Sequence, residues 1–385
     1  ERYTLDHIAF VELGEQKDKN PYDTFKEWYQ NDIQSFIDYN VIDVELVDKL
    51  EDRLQLIELA LTMAYHAKAN YEDVFSQVRM WDTIIFNELL KDNIVVPMRK
   101  VGRIEAKELV GAYVKEPKTG FHEWVVSFDL NSLYPHLIMQ YNISPETILE
   151  GQKDITIDKL ISKEIDTTDG HCLAANGTMY KSDKQGMLPR IIQKEYNART
   201  IFKKKMLEAE QMYANTKDKK YEKLARKYYI VQHSKKISLN SAYGAIGNKY
   251  FRYYDHRQAE AITMSGQLNI KWIEKRLNEY FNKLYNTDDD YIIASDTDSV
   301  YINMAPLVKM TGATDKDKIV KALDTFCSER LEPYIAKVYK ELGDYMNVSE
   351  NKMVMAREVI ADRGIWTAKK RYILNVHNSE GVQYP

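Results

Sequence analysis

The chain has 385 residues, of which 44% are hydrophobic and 29% charged, and its formal net charge is −4 at pH 7. This length allows two or three domains, and the composition excludes a disordered, collagen-like or coiled-coil chain. Its longest apolar runs are far shorter than a membrane span and its first residues are unlike a signal peptide, so we expect no membrane association and no secretion. The two cysteines are far apart and form no C-x-x-C pair, which argues against a disulfide scaffold or a thiolate zinc site and favours a cytoplasmic location.

The first part of the chain has a helical pattern. Apolar residues recur at helical spacing from about residue 22 to residue 64, which predicts long helices. Residues 90–120 contain a proline and several glycines between short apolar pieces, which predicts a loop-like connection. We place a domain boundary near Val101. Residues 124–128 are β-branched or aromatic and predict a strand that ends in Asp129, followed by a proline-containing turn and a helix.

The middle of the chain predicts a basic helical hairpin. Residues 188–247 have the pattern of two antiparallel helices joined by a polar tip at residues 214–220. Residues 190–236 contain 14 Lys and Arg and 5 Asp and Glu, an excess of nine positive charges. If a nucleic acid is a partner, its phosphates would bind at this basic patch. A further helix at about 259–281 precedes two strands, 291–295 and 300–304, which flank an acidic turn.

Three carboxylates lie at strand ends: Asp129, and Asp296 and Asp298 in the predicted hairpin turn. Asp129 and Asp298 are 169 positions apart in the sequence, but the strand ends that carry them can converge. Carboxylates on rigid strands form a hard-oxygen site that binds Mg²⁺ and leaves room for substrate phosphates, which suits phosphoryl transfer. For any one of these residues, the alternative is an ordinary turn or helix-cap aspartate.

Each helix of the predicted hairpin also has a polar face. Arg199 and Lys203 are four residues apart on the first helix, and Lys236, Asn240 and Tyr243 share a face of the second. Cations spaced in this way can hold the charge of a triphosphate, and an aromatic ring beside them can stack on a base. A solvated charged face is the alternative for the same residues.

Three segments resemble the motifs of family B DNA polymerases, in the family's order. Residues 129–135 (DLNSLYP) resemble motif A, residues 236–244 (KISLNSAYG) resemble motif B, and residues 296–299 (DTDS) resemble motif C. A single DTDS is weak evidence, but three motifs in order exclude coincidence. Other segments are similar to the replicative polymerases of T-even-type bacteriophages, so that the resemblance covers nearly the whole chain: residues 81–87, 114–117, 143–147 and 251–255.

The resemblance implies roles for the matching residues. Asp129 and Asp298 would be the side-chain ligands of two Mg²⁺ ions, for which Mn²⁺ can substitute. The Leu130 carbonyl would complete one coordination sphere, and Asp296 would tune the site. Tyr134 would be a steric gate against a ribose 2′-hydroxyl. Contacts with the incoming dNTP are implied for Ser132, Leu133, Tyr134, Arg199, Lys203, Lys236, Asn240 and Tyr243.

Residues 369–372 (KKRY) resemble a family segment that contacts primer–template DNA. Lys369, Lys370 and Tyr372 are therefore predicted DNA contacts. Lysine suits this place because the minor-groove acceptors are nearly the same for every sequence, so a donor can follow the duplex without reading bases. Glu358 matches a family carboxylate near the metals, and a structural salt bridge is the alternative for it.

The sequence also departs from the family pattern. Ala294 and Ser295 stand where Tyr-Gly usually precedes DTDS, and His136 follows the motif A proline in place of serine. The glycine-rich stretch before KKRY is shortened to residues 362–366. These departures concern the primer contacts of the β-hairpin that carries DTDS, and they leave the predicted metal ligands unchanged.

Tyr39 and Asp43 resemble the third motif of the family's 3′–5′ exonuclease. The two acidic motifs expected upstream are absent from this sequence, and one carboxylate cannot hold two metal ions. We therefore expect these two residues to be an inert exonuclease remnant.

Together these patterns predict an α+β fold: a polymerase palm with an antiparallel sheet, helical-hairpin fingers and a largely helical exonuclease remnant. The predicted function is DNA-templated DNA synthesis on a primer by two-metal phosphoryl transfer. Primer–template DNA and dNTPs are the expected partners, with a sliding clamp or other replisome proteins for the full-length parent in a host-cell cytoplasm. The alternatives are a non-catalytic primer–template or nucleotide-binding fragment, and a nuclease. The predicted segments are 1–100 (remnant and linker helices), 101–187 (palm), 188–247 (fingers) and 248–385 (palm), with the thumb absent.

Overall fold

The computed structural model describes residues 3–99 and 108–383. The expected boundary near Val101 lies outside the described residues. The chain divides into two compact units, each built from two stretches of sequence. The first unit comprises Glu1–Phe75 and Arg199–Lys235, and the second comprises Ser76–Ala198 and Lys236–Pro385.

The N-terminal part of the first unit is helical, as predicted. Its core is an aromatic cluster in which the buried Trp28 ring lies 5.8 Å from Phe36 and 5.0 Å from Tyr39. The indole N–H of Trp28 donates to the hydroxyl of Ser35 at 2.7 Å, so its polar atom is satisfied inside the cluster. The elements here are α1 (Leu5–Leu13), α2 (Phe25–Asn31), α3 (Ile33–Leu54), α4 (Leu56–Ala67) and a 3₁₀ turn (Tyr71–Phe75).

The second unit begins with a helix and the first strand of the main sheet. The strand is buried from Val125 to Phe128, where β-branched and aromatic residues fill the core on both faces. The elements up to the hairpin are α5 (Gln77–Lys91), β1 (Gly120–Leu130), α6 (Leu133–Gln140), β2 (Ile148–Gln152), α7 (Ile157–Ile161), β3 (Cys172–Leu173) and β4 (Thr178–Tyr180). The short strands β2, β4 and β3 form a separate antiparallel sheet.

Two long helices follow, α8 (Met187–Thr216) and α9 (Lys219–Ile246). The connection between them is shorter than the predicted tip at 214–220, because α8 extends to Thr216 and α9 already begins at Lys219. Lys217 takes a left-handed conformation with φ of 57°, and Asp218 accepts the N–H of Lys220 at 2.9 Å, which starts α9. Across the hairpin the rings of Phe202 and Tyr228 lie 6.0 Å apart.

The remaining elements complete the second unit. α10 packs against α6, α13 and β5, and so covers the sheet with a long buried face. The main sheet has the strand order β5-β6-β1-β7-β8-β9 and every pairing is antiparallel, which confirms the predicted α+β fold. The elements are α10 (His256–Tyr285), β5 (Ile292–Asp296), β6 (Ser299–Asn303), α11 (Ala305–Thr311), α12 (Lys316–Phe326), a π-helical turn (Cys327–Leu331), α13 (Glu332–Tyr345), β7 (Met355–Ala368), β8 (Arg371–Ser379) and β9 (Val382–Gln383).

A β-bulge interrupts the pairing of β1 with β7. Ser127 pairs with Val359 and Phe128 with Arg357, so Glu358 is the extra residue on β7. The fully buried Ser127 accepts the backbone N–H of Val359 at 3.1 Å and donates its hydroxyl to Glu358 Oε2 at 3.1 Å. Because a bulge re-aims the side chain of its extra residue, this one fixes where the Glu358 carboxylate lies.

Replacing Ser127 with alanine should lower the free energy of unfolding by about 1–3 kcal/mol, because the partly buried N–H of Val359 loses its acceptor. Urea unfolding followed by circular dichroism measures the change. The exposed Ser328 provides the matched control, since its alanine variant should stay within about 0.5 kcal/mol of wild type. Equal stabilities of the two variants would show that the bulge does not need this hydroxyl.

Candidate active site

The register of the sheet brings the motif A and motif C aspartates together. Asp129, near the end of β1, is paired with Ser299 at the start of β6. The backbone N–H of Leu130 donates to the carbonyl oxygen of Asp298 at 2.8 Å. Two acidic residues 169 positions apart in the sequence are thus neighbours, because adjacent antiparallel strands place one strand end beside the other's start.

The turn that carries Asp296 and Asp298 is strained. Thr297 between them has a φ of 55°, a left-handed conformation that is rare for a β-branched residue. Three hydrogen bonds hold it. The Thr297 N–H donates to the carbonyl of Tyr113 at 3.0 Å, its hydroxyl donates to Asp296 Oδ1 at 3.0 Å, and the Asp298 N–H donates to the Asp296 carbonyl at 2.5 Å.

The two aspartates repel each other in a poorly solvated place. Burial raises the pKa of Asp129 to about 7, with further contributions from the negative charges of Asp298 and Glu358. Burial also raises the pKa of Asp298, and the charges of Asp296 and Glu358 add to the effect. A cation bound between these carboxylates would remove the repulsion, so the electrostatics of the site favour a bound cation.

Among the residues that the structure describes, no group of three or more His, Cys, Asp or Glu side chains is arranged as a ready-made metal cage. A metal ion at this site would therefore have two aspartates as side-chain ligands and would take its other ligands from backbone carbonyls, water or substrate. This is how Mg²⁺ is usually held, since it keeps several waters and binds through one or two carboxylates plus substrate phosphates.

All three motifs line one cleft of about 270 Å³ beside these aspartates. Motif A contributes the start of α6, motif B contributes Asn240 from α9, and motif C contributes Thr297 and Asp298. The rings of Tyr134 and Tyr243 lie 4.8 Å apart, which packs motif A against motif B. Burial, together with the nearby Tyr243 and Asp298, raises the pKa of Tyr134 to about 12, so its hydroxyl is neutral at physiological pH.

The remaining predicted nucleotide contacts lie on the hairpin helices. Lys236 and Asn240 are exposed on α9 in the second unit. Arg199 is partly buried and Lys203 exposed on α8, in the part of the hairpin that belongs to the first unit. Their roles toward a nucleotide stay predictions.

The KKRY lysines occupy the tight turn between β7 and β8. Lys370 has a φ of 59° and its ammonium lies 3.2 Å from Asp296 Oδ1, so it partly neutralises the motif C turn. The ammonium of Lys369 lies 3.1 Å from Glu116. Both lysines are exposed and thus accessible to a partner, but each is within ion-pair distance of a carboxylate.

Tyr372, the last predicted DNA contact, packs at the same end of the sheet. Its ring stacks on that of the buried Trp366 with centroids 5.4 Å apart, and its hydroxyl is 2.7 Å from that of Tyr301. The residue is therefore fixed on two sides, which makes it a rigid element beside the motif C hairpin.

The exonuclease-like residues lie in the first unit. Asp43 on α3 forms an ion pair with Lys17 at 2.7 Å, and the same ammonium lies 4.8 Å above the ring of Tyr39. This arrangement gives the Asp43 carboxylate a structural partner within the protein.

Sequence reasoning missed two residues that support the motif C turn. Tyr113 falls in the segment predicted as a loop, yet residues 113–118 run along β5, with an isolated bridge between Val114 and Asp296. Glu274 on α10 accepts a hydrogen bond from the hydroxyl of Ser295. Two features of the sequence could have pointed to these residues: the similarity of residues 114–117 to the phage polymerases, and the unusual serine before DTDS.

A model of the family described as DNA polymerase family B matches residues 75–342 of this chain. The chain therefore belongs to this family. It is 35% identical to the DNA-directed DNA polymerases of Escherichia phage RB69 and Enterobacteria phage T4, in alignments that cover 99% of this chain and 48% of each relative. It is 27% identical to DNA polymerase 1 of Sulfolobus acidocaldarius, over 78% of this chain and 32% of that protein.

The predicted similarity to T-even-type phage polymerases is thus confirmed. The chain spans about half the length of these phage relatives. Within residues 3–99 and 108–383, no helix has the length and apolar character that crossing a membrane requires.

We expect Asp129→Asn to stabilise the metal-free protein at pH 8. The folded-state pKa of about 7 lies above the unfolded value of about 3.9, so the contribution of Asp129 to stability is full below about pH 4 and is lost as the pH rises toward 7. The neutral amide avoids this loss, and after allowance for partial exposure the gain should be about 1–2 kcal/mol. Urea unfolding in EDTA at several pH values between 4 and 8 measures it. A difference between variant and wild type that does not change with pH would contradict the assignment.

Proposed function

We propose that this chain is the palm and fingers core of a DNA-templated DNA polymerase, which adds dNTPs to the 3′-hydroxyl of a primer and releases pyrophosphate. The observation that carries the proposal is the single cleft lined by motifs A, B and C next to Asp129 and Asp298. Membership of family B and similarity to two phage DNA-directed DNA polymerases support the same reaction.

Asp129 and Asp298 would hold divalent cations, Mg²⁺ or Mn²⁺, together with the carbonyl of Leu130. The donor set fits such ions because the two carboxylates are hard oxygen ligands whose mutual repulsion a divalent charge would relieve. Two bound ions would supply activation of the attacking hydroxyl and stabilisation of the leaving oxygen. Asp296, paired with Lys370, would adjust the charge of the site.

The triphosphate would lie at the start of α6. Ser132, Leu133 and Tyr134 begin this helix, and the N–H groups of a first helical turn have no partner within the helix and attract anions. Lys236 on α9, and Arg199 and Lys203 on α8, would supply positive charge to the phosphates, and the amide of Asn240 would donate a hydrogen bond to them. Tyr134 would lie below the sugar, and Tyr243 would pack on the base pair.

Lys369, Lys370 and Tyr372 would contact primer–template DNA at the β7–β8 turn. The ion pairs of both lysines with carboxylates are partly exposed, so phosphate or base acceptors could replace those carboxylates at little cost. A sliding clamp and other replisome proteins are partners that we propose for a full-length parent. The phage relatives favour a host-cell cytoplasm as its location.

Asp43 should not support exonuclease activity in this chain, because its carboxylate is paired with Lys17 and one carboxylate cannot hold two metal ions. A fragment that only binds primer–template or nucleotide is the remaining alternative. Primer extension separates it from a polymerase.

The wild-type chain should extend a labelled primer on a template with Mg²⁺ or Mn²⁺ and dNTPs, and Asp298→Asn should reduce the rate at least about 100-fold, equivalent to about 2.7 kcal/mol of lost transition-state stabilisation. Asp43→Asn is the control and should extend as wild type does. Gel-resolved extension, with binding checked by fluorescence anisotropy, provides the measurement. A wild-type chain that binds the primer–template without extending it would show that the chain is a binding fragment.

Replacing Tyr134 with alanine should open space for a ribose and raise the ratio of kcat/KM for an rNTP to that for the matched dNTP about tenfold, or about 1.4 kcal/mol. Tyr134→Phe keeps the ring and should leave the ratio near wild type. Steady-state kinetics on one template base measures both. If Tyr134→Ala lowers both rates and leaves their ratio unchanged, the residue serves only to pack against Tyr243.

A further inference from the structure

We propose that Glu274 is a positioning residue for the active site: its carboxylate holds, through Ser295, the turn that carries Asp296 and Asp298. The inference rests on the proposed function for its catalytic meaning. The contacts that support it are independent of that function. Glu274 lies on α10 below β5 and is partly buried.

The first contact runs through Ser295, the residue that immediately precedes Asp296. Ser295 is 1% exposed, and its hydroxyl donates to Glu274 Oε1. Its carbonyl accepts the N–H of Lys115 at 3.1 Å, so both the side chain and the backbone of this residue are fixed. The glycine that is usual at this position has no hydroxyl, so the hydrogen bond to Glu274 depends on the serine in this sequence.

The second contact runs through Tyr113. Burial and the charge of the nearby Glu274 carboxylate raise the pKa of Tyr113 to about 12, so a neutral Tyr113 hydroxyl lies beside this carboxylate. The carbonyl of Tyr113 accepts the N–H of Thr297 at 3.0 Å, which links Tyr113 to the residue between the two motif C aspartates. The ammonium of Lys271, three residues before Glu274 on α10, lies 5.0 Å from the centroid of the Tyr113 ring.

The strain of the turn explains why such support is needed. Thr297 has a φ of 55°, and a β-branched residue keeps a left-handed conformation only when its surroundings determine it. A carboxylate has two acceptor oxygens, and Glu274 accepts the Ser295 hydroxyl on Oε1. Without Glu274, this buried hydroxyl would lose its acceptor, and the backbone next to Asp296 would become looser.

Hydrogen–deuterium exchange of the metal-free chain tests the positioning role directly. In Glu274→Ala, a peptide that spans residues 294–300 should contain two amides, those of Thr297 and Asp298, that exchange at least about tenfold faster than in wild type. Glu274→Gln keeps an acceptor oxygen and should restore most of the protection. Glu279→Ala is the matched control. Glu279 is exposed on the same helix and forms an ion pair with Arg276 at 2.9 Å.

Metal binding provides the second readout. Calorimetric titration with Mn²⁺ should give a dissociation constant at least about threefold weaker for Glu274→Ala than for Glu279→Ala, because the aspartates are less well placed. Ser295→Gly removes the hydroxyl but leaves the Glu274 side chain beside Tyr113, so it should show a smaller change in both measurements. This gentler variant keeps the test decisive if Glu274→Ala does not fold.

The outcomes separate the positioning role from the proposed function. Unchanged exchange of the 294–300 peptide in both Glu274→Ala and Ser295→Gly would overturn the role, even if their thermal stability falls. Faster exchange in a chain whose wild type neither binds Mn²⁺ nor extends primers would support the role and reject the polymerase assignment. Faster exchange with weaker Mn²⁺ binding supports both.

Discussion

The forced proximity of Asp129 and Asp298 is the constraint on which the rest of the second unit depends. The pairing of β1 with β6 brings them together, and the pKa of Asp129 is raised by burial and by the charges of Asp298, Glu358 and Glu380. The fold thus keeps two carboxylates where, without a cation, they destabilise it. Oppositely charged or apolar residues at these two positions would make the metal-free fold more stable, but they could not bind a divalent ion.

Contacts from several elements hold these carboxylates and the turn in place. The bulge on β7 and the buried Ser127 hold Glu358, whose charge adds to the repulsion, while Tyr113, Ser295 and Glu274 hold the strained turn at Thr297. Ser127 and Ser295 share strands with the aspartates, whereas Glu358, Tyr113 and Glu274 come from other segments of the chain. The active site is therefore a property of the whole sheet and of α10, and changes well away from the cleft can alter its geometry.

Sequence alone predicted the strands around the aspartates and the helical hairpin, because hydrophobic period and turn chemistry are local properties of a segment, whereas the three motifs were identified by their resemblance to a known family. It did not predict that residues 113–118 would run along β5, since that segment has a proline and no alternating pattern and pairs only through its tertiary context. The role of Glu274 was equally hidden. A carboxylate on a long helix resembles any surface residue until the helix is placed against Ser295, and spacing within the helix does not reveal that contact.

The order of strands has a consequence for how the protein is made. β1 pairs with β6 and β7, so the strand that carries Asp129 must wait for partners encoded about 170 to 240 residues later. During synthesis, an N-terminal helical region can fold early from local contacts, while β1 stays unpaired on both edges. The apolar stretch from Val125 to Phe128 would be exposed during that interval. Aggregation during translation, rather than low stability of the finished fold, is thus the main hazard for a chain in which the hairpin is inserted between the strands of one sheet.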